Sequence, residues 1–178
     1  MFHKTQRLLL RPAWIEDAPA IAAGIGDEAI VRNLAHAPWP YRLADAEAFA
    51  RSPQAPRLPR FLVQLPGEGV IGSVGFGMDG DEVEIGYWIA RPFWGRGFAT
   101  EAARALVSVA PLLGHTRLVA GHFADNPASG KVLRKIGFRP TGRRSQRFSA
   151  GRNGLATLVE FERPLDEDRP AYAYKRAA

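Results

Sequence analysis

Apolar residues fall into short blocks along the chain, and the period of each block changes where one element gives way to the next. Arg7-Leu8-Leu9-Leu10-Arg11 is an apolar run stopped by Pro12, and it predicts a strand. From Ile15 to Gly24 the spacing is helical, with Glu16 and Asp17 in the first turn, where the helix dipole favours acids. Further short helices are predicted over residues 27–34 and 43–51. Between them, His36-Ala37-Pro38-Trp39-Pro40-Tyr41 cannot be helical, because two prolines flank a tryptophan. Residues 61–65, 70–78 and 83–90 read as strands across turns at 66–69 and 79–81, the spacing of an antiparallel meander. A helix over 99–113, a strand over 118–123 and a helix over 126–136 closed by Gly137 follow. The last strands, 138–148 and 155–163, form a hairpin turning at Ser149-Ala150-Gly151. No repeat or linker divides the chain, so residues 1–165 are expected to make one domain and the polar residues 166–178 a tail.

Composition narrows the class. The chain has 178 residues and is 46% hydrophobic and 24% charged, the balance of an ordinary globular domain. With no cysteine, zinc ribbons, iron–sulfur sites and thiol nucleophiles are excluded. No apolar run reaches the ~20 residues of a membrane span, and the start lacks a signal-peptide segment, so a cytoplasmic location is expected. Net charge is +6, unevenly spread: residues 126–178 carry 12 basic and 5 acidic groups. Such an excess calls for an anionic partner, and nucleic acid, a membrane surface or a phosphorylated cofactor all fit it.

The most informative segment is Trp94-Gly95-Arg96-Gly97-Phe98-Ala99-Thr100, where a strand turns through two glycines into a helix. Glycines let the backbone approach a ligand closely, and the unpaired N–H groups of a new helix favour a phosphate. A P-loop string is absent. The dinucleotide fingerprint fails too: Thr100 stands in place of its third glycine and no acid follows at the required distance. The acyl-coenzyme A loop [QR]-x-x-G-x-[GA] matches at every position but the first, Trp94.

Other strings agree with that loop. Thr5-x-Arg7-Leu8-x-Leu10-Arg11-Pro12, Pro38-x-Pro40-Tyr41, Glu84-Ile85-Gly86-Tyr87-Trp88, Asn126-x-x-Ser129 and Val132-Leu133-x-Lys135-Ile136-Gly137-Phe138 stand in order over residues 5–140. Together they resemble the GNAT superfamily of N-acetyltransferases, in its RimJ/RimL-like, ribosomal-protein branch. The resemblance implies an α+β (α/β three-layer) fold, with a mixed, largely antiparallel twisted sheet of six to seven strands flanked by helices. It implies acetyl-CoA as co-substrate, no metal, and transfer of the acetyl group to a primary amine by direct attack in a ternary complex. The acceptor is then a small molecule or a protein N-terminal α-amino group, a ribosomal protein among the candidates.

Roles follow residue by residue. An α-amino group (pKa roughly 7.7–8.0) is about a tenth neutral at pH 7, so modest base assistance suffices. Glu84, on the strand leading to the turn, is the candidate base through a water; the bland alternative is a surface carboxylate like Asp79, Asp81 and Glu82. The resemblance gives Ser129 as proton donor to the leaving thiolate, and capping the helix is its other role. Asn126 is open to both a hydrogen bond with the pantetheine arm and an N-cap. The backbone N–H of Ile89 is the candidate oxyanion donor. Trp94, Gly95, Arg96, Gly97, Phe98, Ala99 and Thr100 are the expected cofactor loop. Lys131 and Arg134, on one helix face with Lys135, are candidate neighbours of the adenosine phosphate, with solvated surface as the alternative. His36, Trp39, Tyr41 and Tyr87 are candidate acceptor contacts. His122 lies on a strand whose alternation leaves its face undecided, and His3 and His115 read as surface.

A second class stays open at this point: a non-catalytic acyl-CoA-binding or nucleic-acid-associated module on the same fold. The basic run from Lys131 to Arg147 has only Phe138 and Phe148 near it and no groove-reading motif, so direct nucleic-acid binding is not expected. Monomer and homodimer are both open.

Overall fold

The computed structural model describes residues 1–165, and the predicted tail at 166–178 lies outside the described residues. Eight strands form one mixed sheet in the order β1-β2-β3-β4-β5-β6-β8-β7. They are β1 (His3–Lys4), β2 (Leu9–Arg11), β3 (Arg60–Leu65), β4 (Gly69–Asp79), β5 (Glu82–Ile89), β6 (Arg117–Phe123), β7 (Arg139–Ser149) and β8 (Gly154–Pro164). The expected six to seven strands become eight, because the two residues of β1 are too few to show a period. A turn fixes them: Thr5 N–H donates to the Leu8 carbonyl at 2.9 Å, which also delays the second strand to Leu9.

Helices cover both faces. α1 (Ala18–Ile25), α2 (Glu28–Val31) and α3 (Leu43–Arg51) pack on one side; α4 (Phe98–Val109) and α5 (Pro127–Lys135) pack on the other. Asp27 caps α2 by accepting from the Ala29 N–H at 2.8 Å, so the expected helix there shortens to a single capped turn. The helix expected to reach residue 113 stops at Val109; Pro111 lacks the N–H to continue it, and residues 111–113 tighten into a 3-10 turn. Residues 15–17 are likewise a 3-10 turn leading into α1.

Alternation along β5 divides two cores. Ile85 and Ile89 join Phe98, Leu106, Leu118 and Leu133 beneath α4 and α5. Trp88 points the other way, into the cluster of Ile21, Val31 and Leu62 beneath α1 and α3. Its indole fills the space at Gly24, where a Cβ would lie 3.3 Å from the ring. Gly72, opposite Ile89, has no room for a side chain, since a Cβ there would stand 2.3 Å from the Trp88 carbonyl oxygen.

One join in the sheet is incomplete. Every neighbouring pair is antiparallel except β5–β6, which are parallel and meet in register only at Glu84 and Val119. Beyond that pair the strands diverge, and the gap between them opens the sheet from face to face.

Candidate active site

A cavity of about 550 Å³ fills this gap. Its first arm lies under α4 and α5 and is built largely from backbone. Trp94 ends a 3-10 turn, and its indole Nε1 donates to the Ile89 carbonyl at 2.5 Å, pinning the end of β5. Gly95 and Gly97 take left-handed φ of 74° and 81°, values that glycine adopts freely. Gly97 is the N-cap of α4 and brings no side chain to cap it, which leaves first-turn N–H donors facing the arm. The arm is lined further by Phe98, Thr100, Lys131, Val132 and Lys135. Uncapped donors, a positive dipole end and two lysines suit a pyrophosphate and its neighbouring phosphate.

The turn is held from outside by a residue not picked out from the sequence. Glu101 accepts from Thr5 Oγ1 at 2.6 Å and from the Arg7 N–H at 2.8 Å, and Arg7 Nη1 donates to the Arg96 carbonyl at 3.1 Å. Burial pushes the Glu101 carboxyl up, but these hydrogen bonds outweigh it and hold the group below its ordinary value. The β1–β2 turn is thereby tied to the glycine turn.

At the middle of the cavity stand Tyr87, Asn126 and Ser129. Asn126 Oδ1 accepts from the Ser129 N–H at 3.4 Å as the N-cap of α5. The Tyr87 hydroxyl lies 2.8 Å from Ser129 Oγ, and burial pushes its phenol up to about 12. Tyr87, expected as an acceptor contact, thus stands beside Ser129 in the cavity lining. Ala90 N–H pairs with Ile71 of β4, so the preceding N–H, at Ile89, turns toward the gap. His122 faces α5: Nδ1 lies 2.8 Å from the Phe123 carbonyl oxygen, and a Cβ on Gly130 would stand 2.6 Å from Nε2.

The second arm opens on the other face, between α2 and the β7–β8 hairpin. Ala29, Ile30, Asn33 and Leu34 line it with Glu84 and Arg147. Glu84 Oε1 accepts from Arg147 Nη1 at 2.6 Å, and Arg147 Nη2 also donates to Asp79. Burial pushes the Glu84 carboxyl up, opposed by the charge and hydrogen bond of Arg147 and by His36, and reinforced by Asp79. Arg147 had been grouped with the basic tail, and nothing in the sequence pairs it with a residue 63 positions away.

Other expected residues lie outside the lining. Trp39 and His36 are exposed, and Tyr41 packs against the α1–α3 cluster, its hydroxyl pushed up to about 12 by burial and Asp45. Arg96 stacks over Phe93 and Phe98, and Arg134 over Phe161 with a bond to the Gly130 carbonyl. His115, expected on the surface, is buried: its Nε2 lies 2.7 Å from the Arg57 carbonyl oxygen and its ring packs edge-on to Phe76. Among the described residues no group of three or more His, Cys, Asp or Glu could hold a metal ion.

The sequence and the fold both have counterparts among known proteins. Residues 7–139 match the acetyltransferase (GNAT) domain. The chain belongs to the GNAT acetyltransferase family. It is 32% identical over 154 residues to the uncharacterized N-acetyltransferase YoaA of Bacillus subtilis, covering 78% of this chain and 83% of that one. A GNAT-family acetyltransferase structure from Bacillus anthracis superposes with a TM-score of 0.79 at 24% identity, over 92% of this chain and 98% of that one. RimL, a ribosomal L7/L12 α-N-protein acetyltransferase solved with coenzyme A, gives 0.76 at 19% identity, again over 92% and 98%. This GNAT enzyme is an acetyltransferase, and its acetyl donor is acetyl-CoA.

Proposed function

We propose that residues 1–165 act as one RimJ/RimL-like N-acetyltransferase domain, working in the cytoplasm on a primary amine. The acceptor is a protein N-terminal α-amino group, ribosomal proteins included, or a small molecule. The observation that carries this reading is a cavity that crosses the sheet at the β5–β6 gap, with donors for phosphate at one mouth and Glu84 at the other.

The chain's own groups divide the work. The glycine turn, the start of α4 and Lys131 hold the donor, and Asn126 orders the start of α5. Glu84 takes a proton from the ammonium of the acceptor, directly or through one water, so that the nitrogen lone pair can attack the thioester carbonyl carbon. The Ile89 N–H meets the developing oxyanion. As the C–S bond breaks, the sulfur leaves as thiolate and Ser129 Oγ passes it a proton; the second proton, lost from the nitrogen as the amide forms, returns through water to the serine oxygen. The Tyr87 hydroxyl, at 2.8 Å, is placed to orient that donor. A thiol pKa of about 8.5 makes this protonation an easy step.

Release of coenzyme A thiol, measured across N-terminal peptides, amino acids, polyamines and other small amines, tests the proposal. Acetylation of at least one α-amino or small primary amine is expected. Tight acetyl-CoA binding with no turnover on any amine would instead favour a binding module.

A further inference from the structure

Glu84 is assigned a task above, while the guanidinium that grips it is not. Arg147 stands on β7, three places from β5 in the sheet order. At about 4.8 Å per neighbouring strand, the two backbones would be roughly 14 Å apart on a flat sheet. Two long side chains close that distance across the face of β6 and β8. Arg147 is held at both amino groups, by Glu84 and by Asp79 at the end of β4, and only 22% of its side chain is exposed. The grip falls where two cavities meet. Beyond it lies a second, smaller one of about 120 Å³, lined by Glu82, Arg117, Arg143 and Glu160; Glu84, Arg147 and Leu158 border both.

The neighbours in the second cavity already have partners. Arg117 pairs with Glu82 and Glu162, and Arg143 with Glu160. The charged groups bearing on Glu84 are Arg147 from β7, Asp79 from β4 and His36 from the turn after α2. Among the described residues, Arg147 is the cation bonded to it. Nη1 bonds one Glu84 oxygen while Nη2 holds Asp79, so the planar fork is fixed between the two carboxylates, which a lysine would not do.

We propose that Arg147 is the positioning residue for Glu84, clamping the carboxylate at the junction of the two cavities so that one oxygen stays turned toward the acceptor amine. It also ties the β7–β8 hairpin, one wall of the acceptor arm, to the strand that carries the base. The proposal rests on the reading of Glu84 as base. Asp79 is the outer anchor: it holds the second amino group while adding a like charge next to Glu84. Removing Arg147 leaves two carboxylates facing each other with His36 alone to offset them, and their repulsion makes Glu84 harder to ionise. Removing Asp79 relieves that repulsion.

The two variants therefore move the pH profile in opposite directions, which loss of a mere strut would not do. For Arg147→Gln, kcat should fall about tenfold or more. The acid limb of kcat/KM should move to higher pH, while KM for acetyl-CoA holds. Arg147→Lys should return the limb toward its wild-type position but recover kcat only in part. Asp79→Asn should move the limb to lower pH. Should Arg147→Gln prove insoluble, the lysine and asparagine variants carry the test. A lower melting temperature with kcat and the acid limb unmoved in all three would overturn the positioning role. Glu84→Gln assayed alongside separates the two ideas. If it keeps full activity the base reading fails and this one with it; if it loses activity while Arg147→Gln does not, only the positioning role fails.

Discussion

The two arms of the cavity are made of different materials. The donor arm is mostly main chain: two left-handed glycines, an uncapped helix start and a carbonyl pinned by an indole. The acceptor arm is mostly side chain, drawn from α2, β5 and β7 and set by an ion pair between distant residues. A backbone cradle recognises what every substrate pair of the enzyme shares, the donor's phosphates. A side-chain wall can be rebuilt by substitution without disturbing the sheet, so under the proposed function acceptor choice would reside there. The two arms should accordingly fail in different ways.

The largest separation is expected from Glu84→Gln. A lost general base lowers kcat by about 10²–10⁴, while acetyl-CoA affinity, measured by calorimetry, should stay at wild type. Wild-type kcat/KM should rise with pH through a limb above the ordinary carboxylate range, because burial raises Glu84 and its ionised form is the active one. That limb should vanish in the variant. A limb unchanged in Glu84→Gln would assign the base elsewhere.

Gly97→Val should do the reverse. A left-handed residue with a Cβ costs roughly 1–2 kcal/mol, and more when β-branched. The turn is expected to reshape, with acetyl-CoA affinity falling about tenfold or more and acceptor KM little altered. The space around Gly97 is open apart from Arg7 Nη2 at 3.5 Å from a Cβ, so the backbone angle and not a clash is what this substitution tests.

The contrast also explains what could be read from the sequence. Backbone sites leave local marks, and Gly95, Gly97 and the helix after them are contiguous. The meander at 60–89 and helix α3 were legible for the same reason, since their period is local. Arg147 was invisible because its meaning comes from a sheet that sets β7 three strands from β5, within reach of two long side chains, and six basic neighbours between 131 and 147 disguise it. His115 misled in the other direction: one carbonyl and the Phe76 ring bury a polar residue that looks like surface. Trp39 and Tyr41 were chosen for size in a loop that could not be helical, yet the arm is walled instead by the small, capped helix α2.

Between the arms, Ser129→Ala and Tyr87→Phe give a smaller effect, each expected to lower kcat severalfold to about tenfold. Their hydroxyls lie 2.8 Å apart, so the double variant should lose little more than Ser129→Ala alone. Fully additive losses, measured as kcat with a saturating acceptor, would show that the two hydroxyls work independently.

The smallest effect probes the limit of the contrast, because the backbone arm rests on one carboxylate. Glu101 collects Thr5 and Arg7 and so braces the glycine turn. Its pKa is lowered in the folded state, so its contribution to stability is present above the ordinary carboxylate value of about 4.3 and is lost as pH falls through the lowered one. Arg7 is 42% exposed, so solvent screening trims the ion pair and the hydrogen bonds carry most of the effect. Glu101→Gln should cost about 1 kcal/mol at pH 7 in urea unfolding. As pH falls through that lowered value the two proteins should converge, since the wild-type carboxyl becomes neutral too. Acetyl-CoA affinity should slip by a small factor at neutral pH and kcat should not move. A kcat loss with intact affinity would mean that the brace reaches the chemistry, and that the two arms are coupled through β5.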